Sequence, residues 1–203
     1  MNIGVTGGFL SGKSTLSRSL ADKLHCELFS CDDFVRTLYR KKVVRKKILD
    51  TFGERLYKGS VLQKDQLSQL AFQSEEQLRK LEAIIHPLVE AEIIRKTSQK
   101  KTTVHDDSKR IKHTIFEIPL LYETGMNRWM DECVLVLSDK KTCSTRAKLR
   151  GFTKKDFELR TRFQWEARKK KQWNPWIVKN QGDKNALKQQ ASLLAKTLKS
   201  LPK

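Results

Sequence analysis

Ile3-Gly4-Val5-Thr6-Gly7-Gly8-Phe9-Leu10-Ser11-Gly12-Lys13-Ser14-Thr15 decides the fold. A short apolar run leads into G-x-x-x-x-G-K-[ST], with Gly7, Gly12, Lys13 and Ser14 at the fixed positions of a phosphate-binding loop. The spacing has a mechanism. Backbone N–H groups of Gly8, Leu10, Ser11, Gly12 and Thr15 can wrap a polyphosphate, at a helix start whose dipole favours anions. The Lys13 ammonium reaches the outer phosphates, and the Ser14 hydroxyl can ligate Mg²⁺. The context is right, because Leu16, Leu20 and Leu24 follow at helical spacing. The pattern nominates a nucleoside triphosphate, ATP, as ligand. Leu10 is the odd residue, standing where many kinases with this loop have a third glycine. Its side chain must point away from the phosphates, at backbone angles leucine tolerates.

The rest of the chain sets bounds. At 203 residues it has the size of one compact domain. No secretory leader precedes the first strand, and no apolar run is long enough to cross a membrane, so a soluble cytoplasmic protein is expected. Four cysteines, Cys26, Cys31, Cys133 and Cys143, lack metal-site spacing and read as buried, reduced thiols. The net charge is +19. From residue 139 onward about 19 Lys and Arg stand against about 5 Asp and Glu. The tract Arg168-Lys169-Lys170-Lys171 lies among Trp165, Trp173 and Trp176. It could stack on nucleic acid, but a solvated helix face with inward tryptophans is favoured. Nucleic acid is therefore disfavoured as a partner.

Strand and helix signals alternate, which argues an α/β fold with a parallel sheet flanked by helices. Strands are expected at 2–6, 27–30, 114–118, 132–137 and 176–178, and helices at 13–24, 141–150, 154–171 and 184–200. Asp32 or Asp33 caps a further helix. From there to about 98 the pattern is helical without strands. Ser74–Gln77 fits a capping box, and His86-Pro87 breaks or kinks the chain. Residues 98–113 read as a surface loop.

A kinase also needs an acceptor site and a proton-accepting group. Asp32 and Asp33 follow the second strand, and carboxyl ends of parallel strands face the ligand crevice. One of them can take the acceptor proton while the other caps. Arg146 and Arg150, four apart on one helix face, can close on a transferring phosphoryl group. His105, Asp106, Asp107 and His113 could be drawn as a metal site, a reading their polar loop disfavours. His86 fits a buried structural histidine or a substrate contact.

Taken together, these segments resemble the dephospho-coenzyme A kinase family along nearly the whole chain. The marks are the phosphate loop, Asp32-Asp33-Phe34-Val35-Arg36, the segment around His86-Pro87, Pro119-Leu120-Leu121-Tyr122-Glu123, Arg146-x-x-x-Arg150 with Gln164, and Asn180-Gln181-Gly182. Ser30 stands where the family has its first aspartate, and Asn174-Pro175 where it usually has Ala-Asp. The resemblance implies ATP-dependent phosphorylation of the ribose 3′-hydroxyl of dephospho-coenzyme A, with Mg²⁺, within one domain spanning 2–200. It implies a core of about 2–40 and 114–200, a helical acceptor region at about 41–98 and a lid at about 141–171. It makes Asp32 the catalytic carboxylate alongside Lys13, puts Arg146 and Arg150 on ATP, and puts Asp33, Arg36 and His86 on the acceptor. The oligomeric state stays open. The alternatives are another nucleoside or nucleotide kinase of the same core, or an ATP-dependent nucleic-acid-binding protein.

Overall fold

The computed structural model describes residues 1–53, 56–59, 61–98 and 113–201. The chain divides into two compact units, one of Met1–Ser30 with the chain beyond 98, the other Cys31–Ser98.

The first unit is built on five parallel strands: β1 (Asn2–Gly7), β2 (Glu27–Ser30), β5 (Thr114–Glu117), β6 (Glu132–Leu137) and β7 (Trp176–Lys179). Their order is β2-β5-β1-β6-β7. The chain leaves β1 for β2 on one side and later crosses from β5 to β6 on the other, so the carboxyl end of β1 lies at a topological switch point, where open α/β sheets bind ligands. Register sets the neighbours there. Val5 pairs with Glu117 and Gly7 with Val136.

Helices α1 (Lys13–Leu24) and α9 (Lys184–Ser200) supply the apolar stripes that bury one sheet face. Leu16, Leu20 and Leu24 meet Leu187, Ala191, Leu194 and Leu198 over Ile3, Val5, Ile115, Val134 and Val136. Burying a large aliphatic side chain contributes about 1.5–3 kcal/mol, so this cluster fixes where β1 and α1 present the loop between them. Asp183 caps α9 by accepting the Ala186 N–H.

Beyond β6 come α6 (Lys140–Leu149), α7 (Lys154–Arg162) and α8 (Ala167–Lys171). The sequence predicts one helix over 154–171, but the path breaks at 163–166, where backbone and side chains turn to distant partners. Asp139 caps α6 through the Thr142 N–H, and Thr153 with Asp156 forms a capping box on α7.

The second unit holds α2 (Cys31–Leu38), α3 (Lys42–Phe52), α4 (Lys64–Ala71) and α5 (Glu75–Ser98). It departs from the sequence reading in three ways. Asp32 and Asp33 lie within the first turn of α2, which already begins at Cys31. A short antiparallel pair, β3 (Tyr57–Lys58) and β4 (Val61–Leu62), interrupts the expected all-helical stretch. Pro87 does not break α5, which runs through it. Buried Leu78, Ile85, Val89 and Ile93 lie along one face and outweigh the missing N–H. The Gln77 N–H donates to Ser74 Oγ, the first half of the expected capping box.

The predicted loop at 98–113, with His105, Asp106 and Asp107, lies almost wholly outside the described residues. Among the described residues the four cysteines form no disulfide; Cys31 and Cys143 are buried and Cys26 and Cys133 half-buried. No described helix is long and apolar enough to cross a membrane.

Candidate active site

The phosphate loop is held from outside by side chains distant in sequence. Arg146 Nη1 lies 3.2 Å from the Leu10 carbonyl and 3.4 Å from that of Ser11. Asn180 Nδ2 donates to the same Ser11 carbonyl at 2.7 Å. In a trans peptide the C=O and N–H point opposite ways, so holding the Ser11 carbonyl outward turns the Gly12 N–H to the concave side. Gly12 sits at φ 103, and a Cβ there would come within 2.2 Å of Asn180 Nδ2. No other residue fits.

Leu10 has φ 59, in the left-handed region. The loop keeps a glycine-like backbone and makes leucine adopt it, contrary to the expectation of easy backbone angles. The Leu10 side chain joins Phe9 and Phe152 against buried Cys143, Ala147 and Phe157. Phe9 packs edge-on to Phe152 with ring centroids 5.3 Å apart, and the Arg160 guanidinium lies 5.5 Å from the Phe9 ring.

Lys13 opens α1 and is buried, with its ammonium donating to the carbonyls of Gly7 at 3.1 Å and Gly8 at 2.8 Å. The Ser14 hydroxyl donates to Glu117 Oε1 at 2.5 Å. Glu117 ends β5 and is buried. The sequence reading missed it, although the rule that strand ends face the crevice could have found it.

Gln164, Asn180 and Glu123 appeared in the sequence only as marks of the resemblance. In the structure Gln164 Oε1 accepts the Phe9 N–H at 2.9 Å. Glu123 Oε1 accepts the Trp165 N–H at 2.9 Å and lies 2.8 Å from Lys170 Nζ. The expected solvated basic face holds for exposed Arg168, Lys169 and Lys171 and needs correcting only at Lys170, which is buried. Lys169 lies 3.5 Å over the Trp165 ring, while Trp173 is 53% exposed and stacks on Tyr122. The tryptophans are not all inward.

Among the predicted residues, the structure brings Gly8, Leu10, Ser11, Gly12, Lys13, Ser14, Thr15 and Arg146 together. Arg150 is exposed, in the turn that ends α6. In the second unit, Asp32 is exposed two residues beyond β2, and Arg36 donates to Asp33 at 2.6 Å. His86 lies 4.0 Å from Glu82 on α5, and burial pushes its imidazole below the ordinary histidine range. Burial also pushes the Tyr39 phenol up to about 12, with the charges of Tyr57 and Asp32 adding to the effect.

A model of the dephospho-CoA kinase family matches residues 1–186. A dephospho-CoA kinase of Fusobacterium nucleatum is 36% identical over 140 residues, covering 68% of this chain and 67% of its own. That of Geobacillus kaustophilus is 28% identical over 206 residues, covering 100% and 99%. The crystal structure of TT1252 from Thermus thermophilus superposes with a TM-score of 0.73 at 24% identity, over 100% of this chain and 98% of that one. The braced phosphate loop, the parallel sheet that presents it and the match over 1–186 lead to one conclusion: the chain belongs to the dephospho-CoA kinase family.

Proposed function

We infer that this chain transfers the γ-phosphoryl group of ATP to the ribose 3′-hydroxyl of dephospho-CoA, giving CoA and ADP. The observation that carries this is a phosphate loop with its carbonyls held outward by Arg146 and Asn180, in a chain matched to the family over 1–186. Outward carbonyls leave inward N–H groups, a preorganised cradle for phosphate oxygens that needs little rearrangement during transfer.

In this reading Lys13 exchanges its bonds to the Gly7 and Gly8 carbonyls for the outer phosphates of ATP. Asp32 accepts the proton of the attacking 3′-hydroxyl, whose oxygen bonds to the γ-phosphorus as the bond to the ADP oxygen breaks. Arg146 and Arg150 neutralise charge on the transferring group, while Asp33, Arg36 and His86 contact the acceptor. The region 41–98 receives the acceptor and 141–171 acts as the lid.

The Ser14 hydroxyl and the Glu117 carboxylate form a hard oxygen pair suited to Mg²⁺. They would hold the ion, directly or through water, and when bound it would draw charge from the β- and γ-phosphate oxygens. The proposed setting is the cytoplasm, where ATP is at hand.

A substrate panel followed by ADP release tests the reading. ADP release that depends on dephospho-CoA, and not on nucleoside monophosphates, is expected. The reverse preference would assign the chain to another kinase activity on the same core.

A further inference from the structure

Residues 154–171 contain neither glycine nor proline, yet the helical path stops at Arg162 and resumes at Ala167. A break without those residues calls for another cause, and Glu123 contacts the chain at and beyond the break. One of its oxygens receives the Trp165 N–H and contacts Lys170 Nζ, with the two side chains 9% and 2% exposed. Its other oxygen is buried without a hydrogen-bond partner. A buried pair so incompletely satisfied is a poor source of stability, which points to positioning as its use. What it positions is Gln164, the residue directly before the anchored Trp165, whose carboxamide holds the Phe9 N–H of the phosphate loop.

We propose that Gln164 is a positioning residue for the phosphate loop, and that the buried Glu123–Lys170 pair acts through it by holding the helix break that carries it. The strained residue explains the need. Leu10, at φ 59, lies between the Phe9 N–H held by Gln164 and the Ser11 carbonyl held by Arg146 and Asn180. Anchors on both sides keep it left-handed. Releasing one lets the loop relax and its N–H groups diverge. Gly8, Phe9, Gln164 and Lys170 line a cavity of about 350 Å³. In Gln164→Ala, water there can satisfy the Phe9 N–H but cannot fix its peptide plane.

The proposal rests on the nucleotide-binding reading above, and its test separates the two. Amide hydrogen exchange at Phe9, ATP affinity and the KM for dephospho-CoA are measured on the full chain. For Gln164→Ala, Phe9 protection is expected to fall at least about tenfold and the ATP Kd to rise about tenfold, the scale of one lost hydrogen bond, with the KM for dephospho-CoA within about twofold. Gln164→Glu, which retains an acceptor oxygen, is expected to restore Phe9 protection. Glu123→Leu with Lys170→Met removes both the acceptor of the Trp165 N–H and the ion pair while keeping the site neutral, and is expected to lose protection as Gln164→Ala does, with no further loss when all three are combined. Unchanged Phe9 protection in Gln164→Ala overturns the proposal. Wild-type protection in the double variant, or its failure to fold, removes the role given to the ion pair. Should the wild-type chain bind no ATP, the functional reading fails, while the Phe9 comparison still decides the positioning claim.

Discussion

Leu10 concentrates the cost of the phosphate loop in one residue. A left-handed conformation costs a non-glycine residue about 1–2 kcal/mol, and contacts with the Phe157 cluster offset part of that. Leu10→Gly relieves the strain but removes those contacts, so its stability in urea should stay within about 1 kcal/mol of wild type. Leu10→Val places a β-branched side chain at positive φ and should lose at least about 1–2 kcal/mol in the same measurement. Equal loss in both would mean that packing alone holds the position. The sequence marked Leu10 as odd but could not supply its backbone angle, which long-range bonds from Gln164, Arg146 and Asn180 impose. Glu117 was hidden for a related reason. Its place beside Ser14 arises from strand register, with Val5 opposite Glu117, and register is not written locally. The place of Lys13 at the start of α1 was legible, because it follows from spacing within its own loop. Lys13→Ala should lower kcat by at least about 10²–10³-fold, the usual cost of one transition-state donor.

At the scale of elements, legibility followed periodicity. The strand Glu132–Leu137 and the helix Lys184–Ser200 have the bounds their sequence patterns predict. Each has a sustained apolar pattern, and α9 has Asp183 as cap. β3 and β4, two residues each, are too short to show a period. The α7–α8 break depends on Glu123, far away in sequence. In α5, proline was read as a break or a kink; the helix is not broken, because the buried stripe carries it through. Pro87→Ala restores one backbone donor and should stabilise the protein by about 1–3 kcal/mol in thermal or urea unfolding. His86 gives α5 a pH dependence. Burial holds its folded pKa below the ordinary 6.5, so the unfolded chain binds the proton more readily. Its contribution is intact above about pH 6.5 and is lost as pH falls through that value toward the folded pKa. Glu82 has the opposite sign: burial raises its carboxyl pKa, so its contribution is fullest below the ordinary 4.5 and fades as pH rises. Stability should decline between pH 7.5 and 5.5, and His86→Gln should flatten that decline. An unchanged slope would show that other groups carry it.

Over the whole molecule, the charge of +19 was the least informative feature of the sequence. One of the cations that suggested a nucleic-acid surface, Lys170, is spent inside on Glu123. The remaining excess should give only non-specific attraction, with affinity for a short DNA falling at least about a hundredfold between 50 and 200 mM salt. Affinity that survives 200 mM salt would revive nucleic acid as a partner. The parallel sheet was legible because strand and helix signals alternate, whereas the strand order that makes β1 a switch point was not. The braces on the loop were not, because they join residues up to 169 positions apart. This loop is proposed to deliver the γ-phosphoryl group of ATP to dephospho-CoA. The most direct test incubates the chain with γ-labelled ATP and dephospho-CoA and locates the label in the product. Label is expected on the ribose 3′-phosphate of CoA with wild type and none with Lys13→Ala. Consumption of ATP with no label on the CoA precursor, or equal labelling by Lys13→Ala, would contradict it.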